Sequence, residues 1–369
     1  MPTKADKMKA FEEALKSLNT SKEKIFQSET GTLIATLGSK PRDVKTISSG
    51  SLVLDSILGG GIPVGRVIEI YGKEASGKTS IALTAAANVQ KDGGSVVFID
   101  LENALDPRYA KKLGVQVEEM AVAQPDYAEQ ALEMVDRLAQ TGAVDLIIVD
   151  SVAALVPKAV IEGTLEDQQM ALVARLMSKA LPKLVGNANK TNTTIIFINQ
   201  VRAGIGGYSP MGTPDVTTGG KALPFYCSQR IQVARRGKVM DGSNYIGNEV
   251  RLVVKKNKIA PPMGEGITIL SFGKGINKAA EMIEVGPLYG VIDKPNNRTY
   301  KVGGTDEVIG TSKAAAVAAL EADPALYERL AGMLGTKIQD ALFDDVSSDP
   351  VREQEDANLA EENLDEVEF

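Results

Sequence analysis

The segment Gly72-Lys-Glu-Ala-Ser-Gly77-Lys78-Thr79 constrains this chain more than any other feature. It matches G-x-x-x-x-G-K-[ST], follows the strand-like run Arg66 to Tyr71 and opens a helix-like run from Lys78 to Gln90. Strand, glycine loop and helix in that order form a P-loop, whose backbone N–H groups and helix N-terminus hold phosphate. A chance match in a glycine-rich loop would not bring the strand and the helix with it. The residues expected to line the nucleotide are Gly72, Lys73, Glu74, Ala75, Ser76, Gly77, Lys78, Thr79 and Ser80. Lys78 is placed to reach the β- and γ-phosphates of ATP, and the Thr79 hydroxyl to bind Mg²⁺.

The stretch from 66 to 200 alternates between β and α patterns. Ser95 to Asp100, Val144 to Asp150 and Thr193 to Gln200 read as further strands, and Tyr127 to Gln140 carries Ala131, Leu132, Val135 and Leu138 at helical spacing. Short β-branched runs separated by helices predict a mainly parallel sheet covered on both faces. Residues 201–220 hold six glycines and two prolines, too breakable for a regular element and long enough to suggest a functional loop. Residues 225–272 return to strand-like alternation, and 276–343 read as a small α+β lobe. There Asp323 and Pro324 are expected to cap and open a helix carrying Leu326, Leu330 and Leu334. Near the start, Met8, Phe11, Leu15 and Leu18 make a one-faced helix that must pack on its own body or on a neighbouring subunit.

Three further residues complete a hydrolytic nucleotide site. Asp150 ends an apolar strand, as an acid that holds a P-loop's metal ion does, with helix capping as the plainer alternative. Glu102 follows the strand ending at Asp100 and is placed near the phosphates at the carboxyl edge of the sheet, where it could align water. Gln200 ends the fourth strand at the mouth of the glycine-rich loop, where an amide could report a γ-phosphate to that loop.

Composition removes most other chemistries. The chain has 369 residues, no histidine and one cysteine, Cys227, so a zinc site, a disulfide framework and Ser-His or Cys-His catalysis are all disfavoured. No apolar run approaches the ~20 residues needed to cross a bilayer, and the first residues lack the apolar stretch of a secretory leader. A cytoplasmic location is expected. Net charge is −7, yet residues 344–369 hold 11 acidic residues against Arg352 alone, leaving a body with 40 basic and 37 acidic residues, near +3. That acidic tail is expected to be disordered, and either to solubilise the chain or to compete with nucleic acid for a basic surface.

Taken in order, ISSGSLVLDSILGGGIPVGRVIEIYG, GKEASGKTS, FIDLENALDP, RYAKKLGV, LIIVDSVAALVPKAVIEG, IIFINQVR, TTGGKAL and KKNKIAPP followed by GKGIN resemble the bacterial recombinase RecA family, in its bacterial or phage-encoded forms. The resemblance covers nearly the whole chain. It implies that Glu102 is the general base, Gln200 the γ-phosphate sensor, and Asp106 and Tyr109 the adenine contacts, with Phe272 as a second aromatic over the base. Lys256 and Lys258 would reach across a subunit interface to a neighbour's ATP. Two DNA loops are implied. The first lies near 163–170 and ends at Met170, with Arg175 and Ser178 on the helix after it. The second is 201–220, with Arg202 at its base, Ile205 as an apolar wedge, and Gly219 and Gly220 offering amides to phosphate. Lys294, Lys301 and Lys313 would give the C-terminal lobe a face for duplex DNA.

Several positions depart from the family pattern. Pro182 stands in place of an arginine on the DNA-facing helix, with Lys179 nearby; Asn103 replaces a histidine; Asn297 and Arg298 replace a Trp-Tyr pair. The second loop, 201–220, is about two residues longer than the usual family form, with Tyr208 or Met211 in the place of its central aromatic.

The resulting expectation is an α/β protein with a P-loop RecA-type ATPase core, an N-terminal helix and a small C-terminal α+β lobe. Its parts are 1–38 (helix and linker), 39–275 (core), 276–343 (lobe) and 344–369 (tail). The resemblance implies an ATP-dependent recombinase that forms a helical homo-filament on single-stranded DNA, tests double-stranded DNA for homology and exchanges strands. A LexA-like repressor, and with it the SOS response, is a further partner it brings into view; no membrane is. Two rivals are a hexameric helicase, separated by unwinding without homology, and a non-hydrolysing DNA-coating protein, separated by a DNA-stimulated ATPase assay.

Overall fold

A computed structural model describes residues 3–20, 44–163, 170–203 and 215–344. The chain divides into two compact units, 1–45 and 46–369. Among the described residues the first contributes one helix, α1 (Lys4–Thr20). Thr3 and Asp6 start it by exchanging hydrogen bonds, Thr3 N to Asp6 Oδ2 at 2.9 Å and Asp6 N to Thr3 Oγ1 at 3.2 Å. Of the expected apolar stripe, Met8 and Phe11 are exposed.

In the second unit β1 (Thr46–Ile47), α2 (Leu52–Leu58) and β2 (Ile62–Pro63) precede β3 (Val67–Gly72) and α3 (Lys78–Lys91). Then come β4 (Val96–Asp100), α4 (Pro107–Lys112), β5 (Ala121–Ala123), α5 (Ala128–Thr141), β6 (Leu146–Asp150), α6 (Lys158–Glu162), α7 (Met170–Thr191) and β7 (Thr194–Ala203). The chain continues through β8 (Asp215–Thr217), α8 (Ala222–Tyr226), β9 (Gln229–Asp241), β10 (Asn244–Asn257), β11 (Glu265–Ser271), β12 (Gly275–Ile276) and α9 (Lys278–Val285). The described residues close with β13 (Ile292–Asp293), β14 (Tyr300–Val302), β15 (Val308–Gly310), α10 (Lys313–Ala322) and α11 (Pro324–Asp344).

The main sheet has the order β12-β11-β10-β9-β3-β7-β6-β4-β5. Pairing is parallel from β9 to β5 and antiparallel from β9 to β12. The apolar runs of β3, β4, β6 and β7 are buried on both faces, as continuous β-branched sequence requires. Their side chains alternate between two cores. Ile68, Ile70, Phe98, Ile148 and Ile196 face α2 and α3. Val67, Ile99, Val149, Ile195 and Phe197 face α5 and α7. Each such side chain contributes about 1.5–3 kcal/mol of burial.

The register aligns the carboxyl ends of the parallel strands. Gly72 lies opposite Gln200, Asp100 opposite Asp150, and Asp150 opposite Ile198. One expectation is corrected here. The glycine-rich stretch is not without regular structure: β7 runs on to Ala203, and β8 returns antiparallel to it, pairing Val201 with Thr217 and Arg202 with Val216. Main-chain pairing at the loop's base outweighs its weak strand propensity. Residues 204–214, and Ile205, Tyr208 and Met211 with them, lie outside the described residues, as do 164–169 and the acidic residues after 344.

The C-terminal section carries the three-stranded sheet β13-β14-β15. Its helices share the core that holds Leu54 and Ile81, through Met282, Leu320 and Leu334. The Asp323 carboxylate accepts from Leu326 N at 3.0 Å, so the expected cap is made. Among the described residues, no helix is long and apolar enough to cross a membrane.

Candidate nucleotide and DNA site

The P-loop leaves β3 at Gly72 and enters α3 at Lys78. A Cβ on Gly72 would lie 2.0 Å from the Val233 carbonyl oxygen, and Gly77 adopts φ 98°, so glycine is required at both positions. Ala75 is also left-handed, with φ 54°. Lys78 is only 8% exposed. Its ammonium donates to the Lys73 carbonyl at 2.8 Å, and burial pulls its pKa below the usual lysine range. The Ser76 hydroxyl is buried, with no hydrogen-bond partner among the described residues. Left-handed loop backbone, a desolvated ammonium and an orphaned hydroxyl fit a bound phosphate chain.

At the start of α3 the Thr79 hydroxyl donates to Asp150 Oδ2 at 2.6 Å. Burial pushes Asp150 up to about 6, with Glu102 and Asp100 adding repulsion. One hydroxyl and one carboxylate, beside phosphate oxygens, form the hard oxygen set that suits Mg²⁺. Among the described residues there is no cluster of three or more acidic or sulfur ligands that would bind a metal without the nucleotide.

Glu102 stands beside this pair. Its Oε1 accepts from the Ser151 hydroxyl, and from Gln200 Nε2 at 3.0 Å. Sequence reading placed Glu102 and Gln200 at separate strand ends; strand order brings them into contact. Tyr109 reaches back to α3, its hydroxyl 2.7 Å from Ser80 Oγ. Tyr109, Phe272, Asn248 and Leu270 close a cavity of about 250 Å³ over residues 75–80. Phe272 is half-exposed and meets Tyr245 edge-to-face at 4.8 Å. Asp106 has a local task, accepting from Arg108 N at 2.8 Å to cap α4, and that bond holds its carboxyl below the usual range.

Lys256 and Lys258 do not line this cavity. The Lys256 ammonium donates to the Pro224 and Phe225 carbonyls, both at 2.8 Å, and burial lowers its pKa. Lys258 is exposed just past β10.

The residues expected to meet DNA fall into two groups. Arg175 and Ser178 are exposed on α7, which begins at Met170, and Ser178 Oγ donates to the Ala174 carbonyl at 2.7 Å. Gly219 and Gly220 sit so close to Val152 and Ala174 that a Cβ on either would come within 2.7 Å. The loop exit therefore rests on α7 one residue from Arg175. Arg202 is exposed at the loop's base. The lobe lysines are differently disposed. Lys301 pairs with Asp306 at 2.9 Å and Lys313 pairs with Glu284, while Lys294 lies 5.5 Å from the Tyr300 ring. Such solvent-exposed pairs are weak, because water and salt screen them, and yield readily to a stronger anion.

Residues 9–277 match the RecA N-terminal domain model. The chain is 52% identical over 301 residues to protein RecA of Fusobacterium nucleatum, covering 81% of this chain and 78% of that one. Against protein RecA of Colwellia psychrerythraea identity is 46%, over 91% of this chain and 94% of the relative. Against that of Acinetobacter baylyi it is 43%, over 95% and 97%. The chain belongs to the RecA family. It is a DNA-dependent ATPase and homologous recombinase, which binds DNA, assembles as a filament and exchanges strands in recombination and repair.

Four residues of this RecA-type site escaped sequence reading. Asn248 and Leu270 come from the antiparallel half of the sheet, which carries no nucleotide motif. Ser151 could have been suspected from its place after Asp150. Asn199, fully buried between Ile198 and Gln200, carried no signal of its own within the apolar strand.

Proposed function

We propose that ATP is held by the P-loop with Lys78 on its phosphates, and that Thr79 and Asp150 hold Mg²⁺. The ion, when bound, neutralises charge that develops on the phosphates. Glu102 takes the proton from the attacking water, and Gln200 senses the γ-phosphate. Tyr109 and Phe272 enclose the adenine, with Asp106 at its rim. Lys256 and Lys258 act on a neighbour's nucleotide, which requires Lys256 to leave the two carbonyls it now caps. The contact between Gln200 and Glu102, set by the alignment of four strand ends, supports this reading most directly.

Single-stranded DNA lies along α7 and the two loops, held by Arg175, Ser178, Arg202, Gly219 and Gly220, with Met170 and Ile205 as apolar contacts. Phosphate contacts position it, and base pairing supplies the sequence selectivity. Duplex DNA meets Lys294, Lys301 and Lys313. The working division is 1–38, 39–275, 276–343 and 344–369, in a cytoplasmic protein whose filament also engages a LexA-like repressor in the SOS response.

The test compares two variants. Lys78→Ala should lose nucleotide binding and hydrolysis. Glu102→Ala should bind ATP normally, lose about 10²–10⁴-fold in hydrolysis and persist longer on DNA. Equal loss of nucleotide binding in both would contradict the assigned roles. Strand exchange between labelled homologous DNAs, with and without ATP, then tests the whole assembly.

A further inference from the structure

We infer that Asn199 is the positioning residue that ties the ATP-sensing Gln200 to the exit of the glycine-rich loop, so that nucleotide state and loop geometry change together. The inference rests on the proposed sensing role of Gln200. An asparagine side chain has two N–H donors and an oxygen with two lone pairs. At Asn199, which is fully buried, all four are used. Its Oδ1 accepts from Gln200 N at 2.8 Å and from Thr218 Oγ1 at 2.5 Å. Its Nδ2 donates to Glu69 Oε1 at 2.9 Å and to the Thr218 carbonyl at 3.0 Å.

One end of this network is fixed and the other is free to respond. The fixed end is Glu69, fully buried on β3, the strand that delivers the P-loop. Its Oε2 accepts from Arg230 Nε at 2.6 Å, and that guanidinium lies 4.7 Å from the Tyr71 ring. A buried, hydrogen-bonded ion pair resists rearrangement because moving either partner strands the other's charge. The responsive end is Thr218. Among the described residues it is held by Asn199 and by one main-chain bond, from its N–H to the Gln200 carbonyl at 3.3 Å. Immediately after it come Gly219 and Gly220, which pack on Val152 and Ala174.

On the other side, the Gln200 amide contacts Glu102. The path Glu102–Gln200–Asn199–Thr218 therefore joins the hydrolytic carboxylate to the DNA loop through three successive hydrogen-bonded contacts. A shift of Gln200 changes the direction of its own N–H and C=O, and both groups lead to Thr218.

The test is the coupling between two ligands, measured as the ratio of affinities for a labelled oligo-dT with a non-hydrolysable ATP analogue and with ADP. A direct loss of DNA contact weakens both affinities and cancels in the ratio, whereas a broken link lowers the ratio itself. Thr218→Val removes one donor and keeps the shape, and should lower the ratio about five- to tenfold, as one lost hydrogen bond does. Thr218→Ser keeps the hydroxyl and should retain the parental ratio. Asn199→Leu should lower it further; if that variant does not fold, Thr218→Val carries the test. Gln200→Asn is the control. If it collapses the ratio while Thr218→Val leaves it unchanged, sensing stands and the Asn199 link is refuted. If neither changes the ratio, the sensing role of Gln200 fails, and this inference with it.

Discussion

Glu281 offers a clean measurement of what a buried carboxyl costs this fold. It sits on α9, 3% exposed, and clamps the N-terminus of α2. Its Oε1 accepts from Ser51 Oγ at 2.7 Å and from Thr268 Oγ1, and its Oε2 from Leu52 N at 2.6 Å. Burial pushes its pKa up to about 7 from an ordinary value of 4.5, against the pull of those three bonds, and Asp55 adds repulsion. The sign follows from proton counting. Between pH 4.5 and about 7 the folded chain holds a proton that the unfolded chain has released, so stability falls as pH rises. Each unit of pKa difference is worth about 1.4 kcal/mol, giving a loss of about 3 kcal/mol by pH 8. Glu281→Gln copies the protonated acid: its oxygen can accept from Leu52 N while its amide donates to a hydroxyl. The variant should match the parent near pH 5 and exceed it by about 3 kcal/mol at pH 8, read from urea unfolding of both chains across that range. With no histidine in the chain, few other groups titrate in this window, and those that do are common to both. A difference that stays constant with pH, or a variant weaker at pH 8 than at pH 5 relative to the parent, would show that the three donors outweigh burial and refute the argument.

Three further outcomes are expected. Mixing Lys256→Ala/Lys258→Ala subunits with Glu102→Ala subunits should restore about a quarter of the hydrolysis, because that share of head-to-tail interfaces would carry both intact halves; no recovery in co-assembled mixtures would place the whole site within one subunit. Gly72→Ala would set a Cβ 2.0 Å from the Val233 carbonyl on β9, so it should destabilise the fold by about 1–3 kcal/mol and abolish nucleotide binding, seen by thermal melting and calorimetric titration. Cys227 is fully buried and its thiol is pushed up to about 12, chiefly by burial, so it should resist alkylation at pH 8 in the folded protein and react at once in urea.

The nucleotide-binding architecture was readable from the order of residues alone. The P-loop, the apolar strands ending at Asp100 and Asp150 and the one carrying Gln200, and the capped helix at Asp323 were all legible, because each is local: a run of β-branched residues, a glycine at a fixed offset, a carboxylate one turn ahead of a leucine. RecA-family membership was legible too, since the order of these segments is itself information. Tertiary structure decided what meets what. Glu102 and Gln200 lie 98 residues apart, and only the order β7-β6-β4 brings their side chains to 3.0 Å. Asn199 and Thr218 are separated by a glycine-rich stretch whose composition argued against any element, yet pairing of β8 with β7 closes its base. Lys256 and the lobe lysines read as free cations in the sequence, whereas the fold supplies carbonyls to the first and carboxylates to Lys301 and Lys313. The physical reason is the same in each case. Backbone periodicity and turn chemistry act over a few residues, but hydrogen bonds and ion pairs act over a few ångströms, and which distant residues come that close is fixed only when the strands take their places in the sheet.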